Sequence, residues 1–288
     1  LRSRVKSVRH AMIVLGIEST SHTFGVGIAV EEKGKTKIKA NELAKYPSLK
    51  QGYVPRKLVD FHSRNFIKVI NNALQKSGIE LSDVDAIAYS QGPGIGHCLH
   101  FGYVVAQTLA TFLKKPLVPV SHVIAHVEIG RFVCNAENPL IVYVSGGNTQ
   151  IASRMHGKGK HYYHILGETL DIGLGNFVDR VGRLLELSPP DAVGVLMLAK
   201  EGKNFLSLPY TVKGMNFAFA GLLTAVEKLK GRASNEDVCF SAQETAFSML
   251  VEACERALCH TNNPGLLLCG GNARNKRLAE MLRLMCSE

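Results

Sequence analysis

Tryptophan is absent from the 288 residues, and all aromatics together make up only 7%. A large core must therefore rest on Val, Ile, Leu and Ala, as in sheets flanked by helices, so the expected class is α/β. No apolar run approaches the roughly 18 residues that a membrane-spanning helix needs, and no membrane segment is expected. The seven cysteines (Cys98, Cys134, Cys239, Cys254, Cys259, Cys269 and Cys286) are odd in number and include no C-x-x-C pair. Lying mostly in apolar runs, they read as reduced core thiols of a cytoplasmic protein. The opening LRSRVKSVRHA contains no acid and no apolar stretch like that of a secretory signal, and residues 1–11 read as a basic disordered arm.

What is present is a globular composition, 46% apolar and 20% charged, with enough chain for one or two domains. Lys and Arg total 34 against 24 acids, a net charge of +10. Such a surface favours a polyanionic partner, nucleic acid first, although a basic surface that serves only solubility is the alternative.

From Met12 the pattern is a β-meander: MIVLGIES, then FGVGIAV, then a charged turn into a third extended segment. An amphipathic helix follows Pro55 and runs to Gly78, carried by Val59, Phe66, Ile67, Ile70 and Leu74. VDAIAYS reads as a strand and QGPGIG as a turn. The run through Leu99, Val104, Val105, Leu109 and Phe112 reads as a buried helix, LVPV as another strand, and 121–133 as a helix. LIVYVS then enters GGNTQ and turns back into QIAS, repeating the opening plan and pointing to two related lobes, 12–138 and 139–288. In the second lobe helices are expected around 171–187, 216–229 and 236–260, followed by a strand LLLC, a GGN turn and a helix from Arg274.

His122 and His126 stand four apart, so on a helix both rings share one face, at a spacing where two imidazoles can hold one metal. The Glu of H-E-x-x-H is missing, which leaves a zinc-peptidase mechanism without a base, and a purely structural His pair is the competing reading. Ser145, Gly146, Gly147 and Asn148 stand at the carboxyl end of an apolar strand, where backbone N–H groups can cradle a phosphate, or simply close a hairpin. GGNARN after LLLC repeats the arrangement ahead of a helix. QGPGIG is better suited to a tight strand-to-helix connection than to a third phosphate loop. Asp179 could take a sugar hydroxyl or pair with Arg183 four residues on, while Asp171 lies among glycines nearby.

GIEST, QGPGIG, VSHVIAHVEIGR, YVSGGNTQ, GETLDIGLGNFVDR, LPYTVKGM, FAGLLTA and GGNARNKRL occur in the order and spacing of the TsaD family. The chain most resembles the archaeal and eukaryotic Kae-type branch, the catalytic subunit of the KEOPS complex. The resemblance runs from Met12 to the last residue. It implies an ASKHA fold (actin-like ATPase and sugar-kinase-like), in which two ribonuclease H-like lobes enclose a nucleotide cleft. It also implies transfer of a threonylcarbamoyl group from threonylcarbamoyl-AMP to N6 of adenosine 37 in tRNAs reading codons that begin with A. One divalent metal ion, iron or zinc, is implied on His122, His126 and Tyr143, with a fourth ligand from a closing Asp-Asn-Gly segment that this sequence, ending at Glu288, does not contain. Tyr143, Val144, Ser145, Gly146 and Gly147 would hold the adenylate, Asp179 the ribose, and Gly270, Gly271 and Asn275 the base or sugar, with ATP or ADP as further occupants of the cleft. The implied partners are tRNA, a small kinase subunit, accessory KEOPS proteins and a Sua-type adenylate-forming enzyme, with no membrane.

The chain also departs from the family pattern. Where the family has Pro-Gly-Gly and then Glu, this sequence reads Pro190-Asp191-Ala192-Val193 and then Leu196, so weaker nucleotide binding is expected. His100 stands where Arg is usual. Asn216, Ala218 and Ala220 replace Asp and Ser, and Asn272 and Arg274 replace small residues. These losses keep open a second expectation, a non-catalytic scaffold of the same family that binds partners and tRNA.

Overall fold

A computed structural model of the protein describes residues 11–47, 53–157 and 160–287. All but Ala11 of the basic arm lies outside them. The chain divides into two compact units, Leu1–Ala125 and His126–Glu288.

In the first unit β1 (Met12–Glu18), β2 (Thr23–Glu32) and β3 (Lys35–Lys45) form an antiparallel meander, with Gly16 opposite Gly27. β4 (Ala86–Gly92) and β5 (Leu117–Ser121) extend the sheet in parallel on the other side of β1, giving the order β3-β2-β1-β4-β5. Alternation along the strands sends Leu15, Ile17, Phe24, Val26 and Ile28 into the core. Val69, Ile70 and Ala73 of α1 (Pro55–Ser77) and Val105, Ala106 and Ala110 of α2 (Gly96–Leu113) belong to the same core. Pro55 opens α1 and Gly78 closes it at φ +67°, a conformation that glycine adopts without penalty.

α2 is less buried than its apolar sequence suggests, with Phe112 79% and Val104 46% exposed. Its buried positions, Cys98, Gly102, Val105, Ala106 and Ala110, fall on one face, so only that face meets the sheet. The expectation of a buried helix is corrected accordingly.

The division between the units falls inside α3 (His122–Cys134). In the second unit β6 (Leu140–Val144), β7 (Thr149–Gly157) and β8 (Lys160–Glu168) form a second antiparallel meander, and β11 (Leu266–Cys269) lies parallel to β6, in the order β11-β6-β7-β8. Every residue of β6 is buried, as expected for a strand covered on both faces. The core combines this sheet with α4 (Leu174–Leu184), α5 (Ala192–Ala199), α6 (Ala220–Leu229), α7 (Asn235–Thr261) and α8 (Lys276–Ser287). A short hairpin of β9 (Val212–Lys213) and β10 (Asn216–Phe217) precedes α6. Asn216 and Phe217 are therefore strand residues and not the start of a helix. β8 and α5 are elements that the sequence reading did not identify.

Among the described residues all seven cysteines are free. Cys98, Cys239, Cys254 and Cys269 are buried as expected, whereas Cys134, Cys259 and Cys286 are exposed and are not core thiols.

Candidate functional site

At the carboxyl end of β1 the chain turns through Ser19–His22, and that turn is held from several sides. The Ile95 N–H donates to the Thr20 carbonyl at 2.8 Å, and a Cβ on Gly94 would stand 2.5 Å from the same oxygen, so QGPGIG serves close backbone packing. A Cβ on Gly102 of α2 would lie 3.0 Å from the Ser19 Cβ, and the Ser19 hydroxyl donates to the Cys98 carbonyl at 3.0 Å. His62 Nε2 of α1 donates to the Ser21 carbonyl at 2.8 Å from a fully buried ring.

This framework fixes Glu18. Its Oε1 accepts the Thr20 N–H at 2.7 Å, and its Oε2 accepts from the Ser90 hydroxyl and lies 3.0 Å from His122 Nδ1. Burial alone would raise the carboxyl, but the hydrogen bond and charge of His122, with Ser90 and Thr20, outweigh it and hold the pKa at about 2. Thr20 Oγ1 approaches the same Nδ1 at 3.4 Å. Sequence reasoning did not single out Glu18; the available signal was a carboxylate ending an otherwise apolar strand.

In the second unit His126 of α3 lies with its ring centroid 5.9 Å from that of Tyr143, a buried residue of β6. Glu128 and Arg131 pair at 2.7 Å one turn further along α3, and the Tyr163 hydroxyl of β8 donates to Glu128. Together they tie this end of the helix to the sheet.

Three glycine-bearing segments converge at the carboxyl ends of β6 and β11. In the turn after β6 the Ser145 N–H donates to the Asn148 carbonyl at 2.8 Å, and the Ser145 hydroxyl accepts the Asn148 N–H at 3.0 Å, closing the hairpin. The start of α4 leans on this turn: the N–H groups of Gly175 and Asn176 donate to the carbonyls of Ser145 and Gly146 at 3.2 and 2.9 Å, and that of Leu174 to Thr149 Oγ1 at 2.8 Å. The helix N-terminus thus spends three of its unpaired donors on the hairpin. A Cβ on Gly173 would lie 2.6 Å from the Gly146 oxygen, whereas one on Gly147 would meet nothing within 4 Å, so the turn opens at Gly147. Gly270, at φ +98°, passes so close to β6 that a Cβ would lie 2.9 Å from the Val144 carbonyl carbon. Gly271 begins a 3₁₀ turn, Gly271–Arg274, and Asn275 Oδ1 accepts the Leu278 N–H at 3.1 Å, capping α8.

Asp179 of α4 accepts the Ala192 N–H at 2.9 Å and is no simple partner of Arg183; burial raises its pKa. Asp191 caps α5 by accepting the N–H groups of Val193 and Gly194 at 2.9 and 3.4 Å, so its charge faces a helix N-terminus. Asp171 accepts from Ile172, Phe219 and Ala220 N–H groups at 2.6–2.8 Å; these outweigh the opposing effect of burial and keep its carboxyl below the ordinary range. It thereby fixes where α6 begins.

A family model for tRNA N6-adenosine threonylcarbamoyltransferase, TsaD, matches residues 37–288. The tRNA N6-adenosine threonylcarbamoyltransferase of Thermofilum pendens is 47% identical over 280 residues, covering 96% of this chain and 81% of that protein. The chain belongs to the TsaD family. The Xenopus laevis member is 42% identical over 285 residues, covering 96% of this chain and 83% of its own length. The probable bifunctional tRNA threonylcarbamoyladenosine biosynthesis protein of Methanococcus vannielii is 47% identical over 279 residues, and the present chain spans only 49% of it. Among solved structures, HypF of T. kodakarensis matches with a TM-score of 0.63 at 14% identity, covering 96% of this chain and 44% of that one. Component A of the Acidaminococcus fermentans (R)-2-hydroxyglutaryl-CoA dehydratase matches at 0.56 and 13%, covering 96% and 89%. The fold is ASKHA-like, as the sequence reading expected.

For a TsaD chain the implied metal donors are His122, His126 and Tyr143. Among the described residues no three His, Cys, Asp or Glu side chains gather in a metal-holding arrangement, and the implied set contains only two such residues beside a phenol. Two imidazoles and a phenol oxygen suit zinc or iron comparably well. A carboxylate on the Nδ1 of His122 is the arrangement that commonly stands behind a ligating histidine. On donor chemistry these residues fit a divalent ion. No helix among the described residues is long and apolar enough to cross a membrane.

Proposed function

We propose that this chain transfers the threonylcarbamoyl group from threonylcarbamoyl-AMP to N6 of adenosine 37 in tRNAs reading codons that begin with A. In this reading it works in the cytoplasm as the catalytic subunit of a KEOPS-type complex. Its partners are a small kinase subunit, accessory proteins and a Sua-type adenylate-forming enzyme. The observation that carries the reading is identity above 40% with named tRNA N6-adenosine threonylcarbamoyltransferases over 96% of the chain.

In the reaction the N6 amine attacks the carbamoyl carbon, the bond from that carbon to the phosphate oxygen of AMP breaks, and the amine gives up a proton. His122, His126 and Tyr143 would hold one divalent ion, iron or zinc, which when bound supplies a Lewis acid for the acyl or phosphate oxygen. Val144, Ser145, Gly146 and Gly147 would place backbone groups around the adenylate, the bare Gly147 allowing close approach. Asp179 would take the ribose, and Gly270, Gly271 and Asn275 the base or sugar. The net charge of +10 favours the tRNA backbone and makes binding salt-sensitive.

A second reading, the non-catalytic scaffold, has one specific observation in its favour. Asp179 is engaged by the Ala192 N–H and Asp191 by Val193 and Gly194, so the altered ribose loop satisfies itself. Incorporation of labelled threonine into tRNA, with adenylate-forming enzyme and KEOPS partners supplied, separates the two. Labelling that is lost in His122→Ala supports the transferase; background labelling, while an established family member works in the same assay, supports the scaffold.

A further inference from the structure

We propose that Glu18 is the positioning residue for His122: its carboxylate holds the proton of the ring on Nδ1 and so places the imidazole lone pair on Nε2. This rests on the reading of His122 as a ligand, and it adds a residue from the other end of the first unit, 104 positions away in sequence.

The hydrogen-bonding role of a carboxylate depends on its charge. Ionised, it accepts hydrogen bonds and donates none. Glu18 Oε1 already takes the Thr20 N–H at 2.7 Å, and Oε2 takes the Ser90 hydroxyl, so two donors favour the ionised form before His122 is considered. With Oε2 at 3.0 Å from Nδ1, the proton between them belongs to the ring. Thr20 Oγ1 at 3.4 Å then stands to the same N–H as a second, longer acceptor. A neutral imidazole carries one proton, so a proton fixed on Nδ1 leaves the lone pair on Nε2.

The geometry is built rather than incidental. The carboxylate ends β1, its hydroxyl donor Ser90 comes from the neighbouring parallel strand β4, and the ring opens α3. The Thr20 segment is pinned by Ile95, by the close approach of Gly94, by α2 through Ser19 and by His62 of α1. Four elements of one unit thus hold one oxygen pair in place. Outer partners of this kind commonly contribute 10–100-fold in metal affinity, because they fix both tautomer and ring orientation.

The test uses the metal-free full chain, with histidine labelled by ¹⁵N, and reads the tautomer of His122 from long-range proton–nitrogen correlations. In the wild type His122 is expected as the Nδ1–H form; an Nε2–H form there overturns the proposal without any variant. Glu18→Ala, shown to be folded by its circular dichroism and melting, is expected to move His122 toward Nε2–H and to weaken zinc binding, measured by chelator competition, about 10–100-fold. An unchanged tautomer or an unchanged zinc affinity in that variant overturns it. Zinc binding that survives His122→Ala removes the ligand reading instead, and the tautomer of the metal-free chain still decides the role of Glu18.

Discussion

Gly175, in the first turn of α4, lies against Asn272 and the Ser145 carbonyl, which occupy the space a side chain would need. A Cβ there would collide with Asn272 Nδ2 and lie 2.7 Å from the Ser145 oxygen and 2.8 Å from the Gly146 Cα. Gly175→Ala is therefore expected to destabilise the protein by about 1–3 kcal/mol through overpacking. Asn272→Ala in the same chain should recover only part of that loss, because the Ser145 carbonyl is backbone and cannot swing away. A double-mutant cycle in urea measures the shared part.

Two adjacent glycines should behave differently. Gly270 combines φ +98° with close contact to the Val144 carbonyl, so Gly270→Ala is expected to cost about 3 kcal/mol and to disturb the end of β6. Gly271 meets nothing within 4 Å, so Gly271→Ala should stay within about 0.5 kcal/mol. Urea midpoints compare the pair directly, and equal losses would contradict the packing described.

His62 makes stability depend on pH. Burial lowers its pKa below 6.5, more than the opposing hydrogen bond to Ser21 and the charge of Glu18 raise it, and its Nδ1 has no partner among the described residues. The unfolded chain then binds the proton more readily than the folded one. Stability is fully present above the folded and unfolded values and falls as pH drops below about 6.5. His62→Gln keeps a donor for the Ser21 carbonyl but does not titrate, so the drop in urea midpoint between pH 7.5 and 5.5 should be smaller in the variant. His22 is lowered too, by burial first, then by Lys45 and His62, so losing His62 trims its share of the drop in the same direction.

Tyr163 ties β8 to the helix that carries His126. Burial first, and then its hydrogen bond to the Glu128 carboxylate, push the phenol up to about 12. Ultraviolet titration should therefore find the Tyr163 phenol ionising at lower pH in Glu128→Gln than in the wild type, yet still above pH 10 because its burial remains. Tyr163→Phe, which leaves the Glu128–Arg131 pair intact, is expected to lose about 1 kcal/mol of stability in urea.

Much of the local structure was legible in the chain itself. Short apolar runs bounded by turns marked β1, β2 and β6; Pro55 and Gly78 bracketed α1; and glycine runs after apolar strands located the turns that carry the candidate adenylate contacts. A period of 2 or 3.6 reports which face of an element is buried, and a capping residue reports where it stops, so these features need only neighbours in sequence. β8, KHYYHILGE, escaped because polar and aromatic residues break its alternation, and α5, AVGVLMLA, because a short, wholly apolar run shows no period.

The start of α6 required the tertiary structure. MNFAFAGLL reads as helix from Asn216, yet Asp171, 48 and 49 residues earlier, takes the Phe219 and Ala220 N–H groups and sets the first turn there. The sequence alone determined the family, the first meander, the β6–β7 hairpin and a His pair one turn apart on α3. The fold decided which groups those residues meet: Glu18 on His122, Asn272 on Gly175, and Ala192 on Asp179. Hydrogen bonds of that kind depend on where the backbone crosses itself, and local periodicity carries no record of the crossing.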